Sequence, residues 1–269
     1  MFSIPARFYR FACRQFPNLT GTLFYHGVKV YIPRSSYSVA MIRSKGGFES
    51  FNIKVLEALV APNSWFFDIG ANLGLMSIPV LAAVSESHVL AFEPSPNSLP
   101  FLTRTIRDSR FTARWRLVPK AAGCQCGRRE FNISEPENAE FDGLLNTARV
   151  KSRREVQVEV TTVDEEWARL GKPLVSAIKC DVEGAETLVL RGAKECLKQN
   201  RPFVLLEWNK RNLDAYTVNS DALLGLAMEF ESDLYALPHL VSVKTHVELN
   251  LQMIATESFL LAPWPRSLA

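Results

Sequence analysis

Residues 65–74 read WFFDIGANLG. Trp65, Phe66 and Phe67 lead into Asp68 and Ile69, a short apolar run that stops at a glycine. Such a run reads as a strand buried within a parallel sheet. Gly70, Asn72 and Gly74 make a tight turn, and 75–84 has the length and apolar spacing of a helix. Strand, glycine turn and helix together form the unit with which open α/β folds build a ligand site at the carboxyl edge of a sheet. Glycine lets backbone approach a ligand closely, because no Cβ stands between them.

A dinucleotide site fits this turn poorly. Its fingerprint is G-x-G-x-x-G, whereas Asn72 takes the second glycine position here and Leu75 the third. Leu75 would obstruct a pyrophosphate on the helix N-terminus. Asp68 puts negative charge where phosphates would lie and suits a cationic ligand better. The next strand, HVLAFE at 88–93, ends on Glu93, 19 positions after Gly74, about where a carboxylate binds a ribose diol. A ribose without phosphate, and a positive group near Asp68, describe S-adenosylmethionine. The cofactor-binding candidates are therefore Asp68, Gly70, Asn72, Gly74 and Glu93.

Four stretches carry a resemblance: FDIGANLG at 67–74, AFEPSPNSLPFL at 91–102, IKCDVEGAETLVLRGA at 178–193 and RPFVLLEWN at 201–209. In this order and spacing they resemble the FkbM-type methyltransferases, with coverage from about Glu49 to Pro263. The resemblance implies a Rossmann-like, class I methyltransferase sheet. That sheet is mostly parallel and seven-stranded, with an antiparallel last strand and helices on both faces. It implies S-adenosylmethionine as cofactor and a hydroxyl of a natural product, sugar or glycolipid as acceptor. The expected division is an N-terminal cap at 1–48 and a methyltransferase domain at 49–269. The alternative is a catalytically silent S-adenosylmethionine-binding protein of the same fold. One departure stands out. The family usually has an acid shortly after the third strand, near the adenine, but 121–127 reads AAGCQCG. Adenine recognition is left to backbone around Ala121 and Ala122.

The 269 residues suffice for one α/β domain with an added cap. No run approaches 18 apolar residues, so no transmembrane helix is expected. Five cysteines, an odd count without a signal-peptide pattern, point to reduced thiols and a cytoplasmic location. Cys124-x-Cys126 lacks zinc spacing and a second half. Net charge is only +3, yet residues 1–48 contain seven Lys and Arg, several aromatics and no acid. Two readings stay open there: a solvated basic face, or docking on an anionic membrane surface or substrate. Nothing indicates base-specific nucleic-acid recognition. The sequence does not fix an oligomeric state.

The rest of the chain follows the same alternation. Helices are expected at 48–59, at 97–108 with Asn97 or Ser98 as cap, at 162–169 capped by Thr162 or Asp164, at 186–199 and at 220–230. Strands are expected at 28–32, 115–120, 127–133, 155–161, 175–180, 203–208, 233–237 and 259–262. Between two of these, FDGLLNTAR at 141–149 reads equally well as an ordered substrate loop or as a surface turn at Asp142-Gly143.

Methyl transfer from a sulfonium to a hydroxyl needs in-line alignment and a base near the methyl. Asp181, at the end of the central fourth strand, is the leading catalytic candidate, with Glu183 beside it. Glu183 has a second reading as a helix N-terminal charge, and Glu186 is expected to be structural. Asp181, Glu207 and Asn209 also resemble the oxygen ligands of catechol-type O-methyltransferases. The metal-free reading is preferred, with Glu207 and Asn209 lining the pocket or capping the next loop. Among the histidines, only His239 merits testing as an alternative base.

Overall fold

The molecule is described by a computed structural model covering residues 21–33, 49–147 and 154–265. The chain begins with β1 (Thr22–Tyr25) and β2 (Val28–Tyr31), then α1 (Ser50–Leu59), β3 (Trp65–Ile69), α2 (Ser77–Ala83), β4 (His88–Phe92), α3 (Leu99–Asp108) and β5 (Trp115–Val118). An inserted unit follows: β6 (Ala121–Ala122), β7 (Gly127–Ile133), a 3-10 turn (Pro136–Phe141) and β8 (Arg154–Thr161). The chain continues with α4 (Val163–Arg169), β9 (Val175–Cys180), α5 (Glu186–Arg191), α6 (Lys194–Asn200) and β10 (Phe203–Glu207). It closes with α7 (Lys210–Ala215), α8 (Ala222–Glu229), β11 (Ser232–Ala236), β12 (Val241–Val243), α9 (His246–Ala255) and β13 (Ser258–Pro263).

The main sheet has the order β12-β11-β13-β10-β9-β3-β4-β5. Strands β10, β9, β3, β4 and β5 run parallel. The last strand, β13, inserts antiparallel between β10 and β11. Without β12 this is the seven-stranded class I methyltransferase order the sequence implied. Strand β12 adds an eighth at the edge; with three residues, two of them exposed, it has too little pattern to be read from sequence.

Alternation along β3 divides the core. Phe67 and Ile69 face one side, with Phe92, Trp167, Val189 and Phe259; Phe66 faces the other, with Leu56, Ile78, Leu81 and Trp115. Successive strand residues point to opposite faces, so each strand serves both layers. Helices α1, α2 and α3 cover the second face, and α4 to α9 cover the first.

Two helix expectations change. The single helix read at 186–199 is two, α5 and α6, broken at Gly192-Ala193. A Cβ on Gly192 would lie 2.0 Å from the carbonyl oxygen of Gly123, and the Gly192 carbonyl accepts from Asp164 N–H, so the break is where the insertion docks. Neither Asn97 nor Ser98 caps α3 through its side chain; both side chains are used in the site described below. Thr162 does cap α4, accepting from Glu165 N–H.

The described part of the N-terminal region, 21–33, is the β1–β2 hairpin, packed on α3. Tyr31 N–H donates to Thr105 Oγ1 at 3.0 Å and Tyr31 OH to Asp108 at 2.7 Å. The hairpin buries Val28, Val30 and Ile32 in the core and does not line the cleft. Most of the basic, aromatic cap expected at 1–48 lies outside the described residues, so neither reading of it is placed.

Candidate active site at the carboxyl edge of the sheet

A cleft of about 750 Å³ opens where β3, β4, β9 and β10 end. That volume is within the usual range for a small-molecule site. Its floor is the turn after β3. Gly70 has φ +79°, and a Cβ there would lie 1.9 Å from the Asp181 carbonyl oxygen. Gly70 is therefore required by the contact between two strand ends, in addition to facing the cleft. Asn72 sits in the left-handed region at φ 49°, which Asn tolerates better than most residues. Its Oδ1 accepts from Ser98 Oγ at 2.9 Å.

Glu93 ends β4 and is buried. Its Oε2 accepts from Asn72 N–H and its Oε1 from Ser95 N–H, both at 2.7 Å. It lines the cleft, where the remaining lone pairs of a carboxylate stay available to a ligand. Burial, only partly offset by the two N–H donors, pushes its carboxyl up to about 7.

Two of the five cofactor candidates are placed elsewhere. Asp68 is fully buried behind the turn and does not line the cleft. It accepts from Ser77 Oγ at 2.6 Å, and Lys179 Nζ lies 3.9 Å from its other oxygen. It is an internal brace for the start of α2, because Asp68, like Phe66, points to the face of the sheet that α2 covers. Gly74 also lies off the cleft; a Cβ there would come within 2.5 Å of the Trp115 ring. Its missing side chain makes room for packing rather than for a ligand.

Asp181 and Glu183 both line the cleft, as does Glu207. Carboxylate oxygens of the three lie within 4.8 Å of one another, a spacing able to hold a divalent cation. Asn209 does not join them: its Oδ1 accepts from Asn212 N–H at 2.9 Å and caps α7. Glu183 has φ 57°, a left-handed conformation costly outside glycine. The turn holding it is closed by Glu186, whose Oε1 accepts from Val182 N–H at 3.0 Å and Gly184 N–H at 3.2 Å. Glu186 is structural, as expected. His239 is exposed and off the cleft.

Sequence reasoning missed Lys179. Its buried ammonium lies 3.1 Å from Asp181 Oδ2 and donates to the Gly70 carbonyl at 3.0 Å. Burial alone would lower its pKa; Asp181, Asp68 and Glu49 outweigh burial and raise it. A lone lysine in an apolar strand next to a strand-end Asp was the available signal. Glu49 and Glu140, also on the cleft wall, had no motif to mark them. The segment around Asp142 is ordered rather than a free surface turn. Asp142 Oδ2 accepts from Ser95 Oγ at 2.6 Å and Asn97 Nδ2 at 3.1 Å, and its Oδ1 from Ser134 N–H at 2.6 Å. Residues 148 and 149 of that stretch lie outside the described residues.

The strand order, the antiparallel β13 and a cleft at the β3–β4 edge define a class I methyltransferase. The family model described as Methyltransferase FkbM domain matches residues 68–224. The chain belongs to the FkbM family of S-adenosylmethionine-dependent methyltransferases. It is 25% identical over 190 residues to the 2-O-methyltransferase NoeI of Sinorhizobium fredii, covering 66% of this chain and 76% of that one. It is 27% identical over 156 residues to Methyltransferase 1 of Beauveria bassiana, covering 49% and 61% respectively. Among solved structures, it is similar to the FkbM methyltransferase of Methylobacillus flagellatus, at 13% identity and a TM-score of 0.46, covering 97% of this chain and 71% of that one. It is also similar to Aeropyrum pernix fibrillarin, solved with S-adenosyl-L-methionine bound, at 12% identity and a TM-score of 0.45, covering 79% and 74%. No helix among the described residues is long and apolar enough to cross a membrane.

Proposed function

We propose that this cleft binds S-adenosylmethionine and methylates a hydroxyl of a small molecule, sugar or glycolipid. The observation that carries the reading is the convergence on one cleft of Glu93, at the end of β4, and Asp181 and Glu183, beyond the end of β9. The residues fit the cofactor: a buried carboxylate with spare lone pairs for a ribose diol, and a turn that opens with Gly70, which carries no side chain. S-adenosylmethionine supplies an electrophilic methyl on a sulfonium. Gly70, Asn72 and Glu93 hold the nucleoside, and Asp181 takes the proton of the acceptor hydroxyl, with Glu183 beside it. Lys179 fixes the Asp181 carboxylate in place. The hydroxyl acceptor is favoured by the relative named as a 2-O-methyltransferase.

The reaction is proposed to be metal-free, although the carboxylate cluster admits a cation. The test uses methyl-labelled S-adenosylmethionine with a panel of sugars and glycolipids, with and without chelator. Label in an alkali-stable methyl ether, resistant to chelator and lost in Asp181→Asn, is the expected result. Label on an amine, or none from any acceptor, contradicts the reading. Loss with chelator and recovery with Mg²⁺ would convert the cluster from base to metal site.

A further inference from the structure

We propose that Glu140 binds the exocyclic amine of the cofactor's adenine, so that the insertion supplies the acceptor missing after β5. This rests on the reading of the cleft as an S-adenosylmethionine site.

The base side of the cleft follows from Glu93. It ends β4, and the next strand outward is β5. Lys120, Ala121 and Ala122 follow β5 and line the cleft there, with Phe131 of β7. A ribose on Glu93 directs its base toward this wall. Two alanines and the Phe131 ring suit the face of a heterocycle, but Ala121, Ala122 and Phe131 offer no side-chain acceptor. Lys120 is a donor, paired with Glu159 at 3.5 Å.

The acceptor comes from the 3-10 turn Pro136–Phe141. Glu140 lines the cleft, and its Oε1 is buried with no hydrogen-bond partner among the described residues. A buried unpaired polar oxygen is costly until a ligand donor reaches it. Asp142, two residues on, cannot serve, because its oxygens already receive Ser95 Oγ, Asn97 Nδ2, Ser134 N–H and Ser134 Oγ. Those bonds instead fix the position of Glu140. Ser95, which holds Asp142, also donates its N–H to Glu93, so the ribose carboxylate and the turn carrying Glu140 are joined by two hydrogen bonds in series. Burial, with the nearby Asp142 charge, pushes the Glu140 carboxyl up to about 7 against the lowering effect of its own backbone N–H.

Calorimetric titration with two ligands tests this: S-adenosylhomocysteine, and its analogue with hydrogen in place of the exocyclic amine. The parent is expected to bind the amine-bearing ligand about tenfold to a hundredfold more tightly, the range of a charge-assisted hydrogen bond. Glu140→Ala should lose that preference while binding the analogue as the parent does, which also shows the variant folded. A preference unchanged in Glu140→Ala overturns this inference and leaves the cofactor reading standing. A parent that binds neither ligand overturns both.

Discussion

Glu93 and Asn72 are joined by a 2.7 Å hydrogen bond from the Asn72 N–H to the Glu93 carboxylate. The bond ties the end of β4 to the turn after β3. The group proposed to hold the ribose thus also holds the floor of the site. Glu93→Gln replaces one carboxylate oxygen with an NH2 group that must face a backbone N–H donor. A loss of roughly 1–3 kcal/mol in stability is expected, read as a lower urea midpoint at unchanged slope.

Three acids, the buried Glu93 and Glu186 and the half-buried Glu140, have carboxyls pushed up to about 7, chiefly by loss of hydration. Between the ordinary value of 4.5 and about 7, the folded state then binds more protons than the unfolded state. Their contribution to stability is full below about 4.5 and lost as pH rises toward 7. Urea midpoints should therefore fall across this window, and less steeply in Glu186→Gln. A midpoint rising over the same range would contradict the burial assigned to these acids.

Two glycines should respond oppositely to alanine. Gly70 combines φ +79° with a 1.9 Å approach to the Asp181 carbonyl. Gly70→Ala should cost about 3 kcal/mol or more through strain and backbone clash. Gly225 is exposed in α8 and a Cβ there meets nothing within 4 Å. Gly225→Ala should stabilise by roughly 0.5–1 kcal/mol, the helix-propensity difference. Thermal unfolding of both variants checks the pair.

Lys179 neutralises Asp68 and Asp181 inside the sheet. Lys179→Met leaves two carboxylates near one another without their cation and should cost about 3–5 kcal/mol. Asp68→Asn in the same chain should recover part of that loss, because the uncompensated charge is removed. Simple additivity of the two substitutions would show that the pair does not interact.

The hairpin β1–β2 makes residues 21–33 part of the core. Val30 is fully buried against the α1–α3 layer. Val30→Ala should lower stability by about 2 kcal/mol, the scale of a small buried truncation, checked by the same urea titration. Deletion of 1–40 should therefore impair folding as well as turnover, in contrast to a detachable cap.

The central strands were legible because β3, β4, β9 and β10 are short apolar runs stopped by glycine, acid or proline. Edge elements were not: β12 and α7 are short, and α9 carries only one buried residue, Leu249. Within the site, strand-end acids were readable from position, since Glu93 and Asp181 follow apolar strands directly. Asp68 and Gly74 shared the same motif yet face the interior, and only the packing of Ser77, Lys179 and Trp115 shows it. Glu140 was illegible because its place depends on Asp142 reaching back to Ser95, 47 positions earlier in the chain.

The central claim is that the cleft at Glu93 holds S-adenosylmethionine. Calorimetric titration with S-adenosylmethionine tests it most directly. One site in the micromolar range is expected, on the order of −7 to −8 kcal/mol, weakened at least about tenfold in Glu93→Ala by loss of charge-assisted bonds. Absence of binding, or binding as tight in Glu93→Ala as in the parent, would contradict it.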